Sequence, residues 1–118
     1  MRTHHDLEVW KKSINFVTSV YKLTEDYPKT EIYGLTNQVR RAVVSVPSNI
    51  AEGAARTSKK EFSHFLSISL GSLSEVETQL IISRNLNMLA NEPFENLNTQ
   101  LIEIRKMIIG LKKSLSEE

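Results

Sequence analysis

Leu7, Trp10, Ile14, Val17 and Tyr21 follow one another at spacings of three and four, and Val9, Phe16, Val20 and Leu23 form a second row beside them. Two such rows make the wide apolar face of an amphipathic helix of about six turns. Asp6 is placed to cap its start. Tyr27-Pro28 stops it, because a residue before proline avoids the helical region. A second row runs Leu35, Val39, Ala42, Val43, Val46, Ile50, Ala54, so the next helix starts near Ile32–Leu35 and ends near Gly53. Pro47 falls inside this row. A mid-helix proline removes one hydrogen bond and crowds the preceding turn, at a cost of about 3 kcal/mol when nothing compensates. The pattern keeps its phase across Pro47, which predicts one kinked helix.

Ser58-Lys59-Lys60-Glu61 reads as a capping box, with serine at the cap and glutamate three residues on. It opens a third helix whose Phe62, Phe65, Leu66, Leu73, Val76 and Leu80 face the core. A row of small residues runs beside them: Ser63, Ser67, Gly71, Ser74, Thr78. Such a stripe permits close approach by another helix, in this chain or in a partner subunit; the alternative is a solvated serine-rich face. Pro93 suits the first turn of a fourth helix. Phe94, Leu97, Leu101, Ile104, Ile108, Leu111 and Leu115 then alternate spacings of three and four, a heptad seam of the left-handed packing type. Ile102, Met107 and Ile109 widen it.

No segment reads as a strand. The β-branched run VRRAVVSVP keeps helical spacing. Four helices joined by short loops predict an all-α, antiparallel up-down-up-down bundle, a single domain over residues 1–118. A chain of 118 residues is long enough for a real core.

With no cysteine, disulfides, thiolate zinc sites and a cysteine nucleophile are excluded. The polar N-terminus predicts no secretory leader, and no run of ~18 apolar residues predicts a membrane span. A cytoplasmic location is the expectation. Net charge is +1, so any affinity for nucleic acid must come from where the charges sit.

They concentrate on the second helix. Gln38, Arg41, Ser45, Asn49, Glu52 and Arg56 recur at three or four residues on the face opposite the apolar row. Arg40 flanks them, and Lys59 and Lys60 follow the turn. Arg41 and Arg56 are forked donors suited to phosphate or carboxylate. Asn49 can read a base edge or bind a neighbouring backbone group. The same row could be an ordinary solvated face or a set of subunit contacts, and Glu52 could simply pair with Arg56 one turn on.

Catalysis has little to stand on. This stretch holds no cysteine, histidine or aspartate, and GAARTSKKE lacks the spacing of a phosphate-binding loop. His4 and His5 are adjacent in a polar leader, His64 stands alone, and Glu75 and Glu77 point to different sides of their helix. The Glu with Glu-x-x-His pattern of di-metal bundles is absent. No enzyme activity, metal or cofactor is expected.

DLEVWKKSINFVTSVYKLTEDYP, YGLTNQVRRAVVSVPSNIAEGAAR and EFSHFLSISLGSLSEVETQL resemble, in order and spacing, the four-helix-bundle family encoded in intervening sequences of bacterial 23S rRNA genes, also labelled S23 ribosomal protein. Residues 6 to 90 carry the resemblance, most specifically Tyr33-Gly34-Leu35, Gln38 with Arg40-Arg41, Ser48-Asn49-Ile50-Ala51-Glu52-Gly53 and Gly71-Ser72-Leu73. It implies a homopentameric ring. It also implies kinship with the accessory variability protein of diversity-generating retroelements, which binds nucleic acid and contacts a reverse transcriptase. Two roles follow as expectations. One is an RNA- or DNA-binding oligomer using Arg40, Arg41, Asn49, Arg56, Lys59 and Lys60. The other is a scaffold for a partner protein, with Gln38, Ser45, Glu52, Ser67, Gly71 and Ser74 at subunit or packing contacts.

Overall fold

In a computed structural model, which describes His4 and residues 7–116, four helices account for most of the described residues. They are α1 (Glu8–Thr24), α2 (Leu35–Ala54), α3 (Lys59–Asn85) and α4 (Asn91–Ser116), with a 3₁₀ turn at Lys29–Glu31 before α2. Among the described residues there is no strand, and no helix is long and apolar enough to cross a membrane. α1 packs on α2 and α4, and α3 on α2 and α4, with no diagonal contact, which gives a square antiparallel bundle 47 Å long.

The apolar rows become the core. Phe16 and Val20 of α1, Val39, Val43, Val46 and Ile50 of α2, Leu66, Leu73 and Leu80 of α3, and Leu101, Ile104 and Ile108 of α4 are fully buried. Each such side chain contributes about 1.5–3 kcal/mol through its removal from water. In α4 the heptad seam sinks from Phe94 to Ile108, and Leu111, Leu115 and Met107 pack at its margin. Ile102 and Ile109 instead face outward.

Local chemistry sets the helix ends. The Asp6 cap position lies outside the described residues; Leu7 stands at the start of α1 without a side-chain cap. At α3 the serine half of the predicted box forms, with Glu61 N–H donating to Ser58 Oγ (3.1 Å), while the glutamate meets the Ser58 hydroxyl, which donates to Glu61 Oε1 (3.2 Å), in place of the Ser58 backbone. α3 stops at Asn87, whose φ of 60° is left-handed. Met88 N–H then reaches Ser83 O and Asn87 N–H reaches Arg84 O, the paired bonds of a Schellman ending. Pro47 is buried inside an α2 that runs unbroken from Leu35 to Ala54.

Close helix packing occurs on a different stripe from the one the sequence suggests. Ser67, Gly71, Ser74 and Thr78 are exposed, and a Cβ at Gly71 would meet nothing within 4 Å. Gly71 thus has open space around it, and only the Lys112 side chain of α4 reaches the row, at Ser67. The small residues at work are on the α2–α3 seam. Buried Ser69 donates to Val46 O (2.9 Å), and Ser45 and Ser72 hydroxyls bond each other (2.8 Å). A Cβ on Gly53 would lie 2.8 Å from Phe65 Cβ and 3.2 Å from Phe62 O. Gly53 is therefore required by backbone proximity.

Candidate nucleic-acid interface

The polar row of α2 runs along the α3 seam, so its members divide by depth. Ser45 and Asn49 are half-buried there. Asn49 Nδ2 donates to Ser45 O (2.8 Å) and Ser45 Oγ (2.9 Å), while that same hydroxyl meets Ser72. Both residues are thus occupied within the protomer, and the row is not simply opposite the core. Gln38, Arg41, Glu52 and Arg56 stay exposed.

Arg40 and Arg41 part company although they are adjacent. One residue is about 100° around a helix, which turns Arg40 toward α1. Its Nε donates to Thr24 Oγ1 (2.9 Å), one Nη donates to Tyr21 O (3.2 Å), and the guanidinium lies 4.6 Å above the Tyr21 ring. Arg40 ties α2 to the end of α1, away from the remaining cations. Arg41 makes no hydrogen bond or ion pair among the described residues. It sits fifteen residues before Arg56, about 22 Å along the helix. The six residues proposed from sequence therefore form no single patch.

Arg56, Lys59 and Lys60 do come together, at the four-residue α2–α3 turn. The Arg56 guanidinium lies 4.8 Å above the Phe65 ring and is loosely paired with Glu52 (3.7 Å) and Glu61 (4.0 Å). Such half-exposed pairs are worth about 0–1 kcal/mol, so an incoming phosphate can displace them. An open cleft of about 410 Å³ is lined by Arg56, Lys60, Glu61, His64 and Phe65. Lys59 and Lys60 also border a second cleft with Ser63, Leu115 and Ser116. That cleft brings in the end of α4, where Lys112 donates to Ser67 Oγ and Lys113 is exposed. Lys112 and Lys113 were not assigned from sequence. Their signal, a basic pair in the last turns of α4, joins the others only because the antiparallel topology returns α4 to the start of α3.

Two flanks carry apolar surface. Trp10, Ile14, Val17, Val44, Pro47 and Ala51 line a groove of about 280 Å³ between α1 and α2. On the other side Arg105 pairs with Glu77 across the α3–α4 seam (3.0 Å), and Ile81, Ile102 and Ile109, within a turn of that pair, are exposed, Ile109 by 52%. Burial raises the pKa of Tyr27 above the usual 10.0, partly opposed by nearby Ser83. Its hydroxyl makes no hydrogen bond of normal geometry.

The profile of the family described as "23S rRNA-intervening sequence protein" matches residues 5–110. Among solved structures, a protein of unknown function from the S23 ribosomal protein family of Bacteroides thetaiotaomicron is similar, with a TM-score of 0.80 and 26% identity. The match covers 89% of this chain and 98% of that one. No curated protein matches the sequence significantly.

Proposed function

The chain belongs to the 23S rRNA-intervening sequence protein family, and from that premise we propose that it is a non-enzymatic, self-assembling bundle that binds RNA or DNA through the basic end formed by α2, α3 and α4. The observation that carries this reading is the convergence of Arg56 in the α2–α3 turn, Lys59 and Lys60 at the start of α3, and the Lys112 end of α4, with Glu52 and Glu61 only loosely paired to Arg56. Phosphates are the natural partners of such a cluster. The apolar α1–α2 and α3–α4 flanks support assembly, since opposite flanks that bind one another form a ring when the rotation between copies closes. The family resemblance implies five subunits. A ring repeats the basic end, and that repetition can raise avidity by ~10²–10⁴.

The test is salt-dependent binding of structured RNA and duplex DNA. Affinity should fall with a log–log slope of about 0.9 per phosphate neutralised on a duplex, and Arg56→Ala or Lys60→Ala should flatten it. Absence of any binding at ~50 mM salt ends the reading. A second reading, a scaffold for a partner protein, is favoured by the α1–α2 groove with its Trp10 and Ile14. Trp10→Ala with Ile14→Ser separates the two: loss of partner-protein binding with nucleic-acid retention unchanged favours the scaffold, while unchanged behaviour leaves the basic end as the working surface. Arg41→Ala, remote from the basic end, should leave nucleic-acid retention unchanged, and dissociation of the oligomer in light scattering would place the α2 polar face between subunits.

A further inference from the structure

The cleft at the α2–α3 turn holds more than charge. One wall is the half-buried ring of Phe65, with the Arg56 guanidinium carbon above it at 4.8 Å. The exposed His64 ring stands edge-on to Phe65, with centroids 5.8 Å apart. The Glu61 carboxylate lies within 4.0 Å of Arg56 and adds an acceptor; Lys60 adds a cation at the rim. The volume, about 410 Å³, falls in the ~300–1,000 Å³ range of small-ligand sites. A phosphate alone needs neither aromatic rings nor a carboxylate.

We propose that this cleft receives an unpaired nucleobase, so that the preferred ligand of the basic end is a single strand or an unpaired loop. This rests on the nucleic-acid reading above and names its ligand class. Unpaired bases stack on aromatic rings and on arginine planes, and offer their Watson–Crick edges to hydrogen-bonding groups. Here the base stacks on the exposed His64 ring or on the Arg56 guanidinium, both of which rest against Phe65. Its ring or exocyclic N–H donates to Glu61, and Lys60 with Lys59 takes the flanking phosphates. A duplex has its base faces already stacked and meets only the lysines and arginine.

The experiment compares a labelled oligouridylate, an oligodeoxythymidylate and a blunt RNA duplex by fluorescence anisotropy at ~50 mM salt, using the full chain and its His64→Ala and Phe65→Leu variants. His64 is exposed, so its removal leaves the fold intact; a melting curve checks Phe65→Leu. The wild type should bind a single strand more tightly than the duplex. Each variant should weaken the better-bound single strand by ~5-fold or more, with duplex binding unchanged. If duplex and single strand bind alike and neither variant discriminates, the nucleobase site is overturned while the phosphate-binding end stands. If no probe binds, both fall together.

Discussion

The α2–α3 seam and the α1–α4 seam are built from the same helical pattern but are closed in different ways. Between α2 and α3, Gly53, Ser69, Ser45 and Ser72 let the backbones come close, and hydrogen bonds cross the gap. Between α1 and α4 the side chains are longer and polar. Two surface grooves of about 160 and 240 Å³ share Gln100, and an ion pair between Lys12 and Glu103 bridges the opening. Small residues buy proximity and, with it, rigidity; long polar residues leave space. The candidate interface sits at the end of the tight seam, where Arg56 and Phe65 are positioned by the same contacts that demand Gly53.

The contrast can be broken most severely at Gly53. Gly53→Leu forces atoms into Phe62 and Phe65, and overpacking of this kind costs about 1–3 kcal/mol, read as a lower melting temperature. Tyr27, beside Ser83 near the far end of α3, responds to pH. Its folded-state pKa is raised, so above about pH 10 the unfolded chain loses the tyrosine proton first. Stability should then fall with rising pH, by at most about 1.4 kcal/mol per pH unit for one proton. Tyr27→Phe should remove that alkaline loss while leaving neutral stability nearly unchanged. Ser69→Ala deletes a buried cross-helix bond and should cost about 1 kcal/mol in urea unfolding. Gly71→Ala has the opposite sign: it relieves a helical glycine with open space around it and should gain about 0.5–1 kcal/mol. A loss of assembly in that variant would instead place Gly71 between subunits. Lys12→Met, at the open seam, should move stability by less than about 1 kcal/mol.

Periodicity made the four helices and most of the core legible in the sequence, because burial of one helix face imposes a spacing that survives any tertiary detail. The heptad from Phe94 to Ile108 and the Ser58 box are such features. The tight seam was not legible. Ser69 and Ser72 interrupt the apolar rows of α3 and look like breaks in them, whereas the unbroken row from Ser63 to Thr78 faces outward. Nor could adjacency separate Arg40 from Arg41; only the position of α1 shows that Arg40 is engaged by Tyr21 and Thr24. Lys112 and Lys113 are more than fifty residues from Arg56, so only the folded topology relates them.

The four-residue turn between α2 and α3, held on one side by Gly53 and on the other by Ser58, also bears on how the molecule forms. Helices linked so briefly meet after only a small loop has closed, and topologies rich in near-neighbour contacts fold in microseconds to milliseconds. With the shortest link and the most extensive helix–helix contact in the bundle, this hairpin is expected to act as the nucleus onto which the flanking helices condense. The cationic tip would then take shape early, before the rest of the protomer has consolidated.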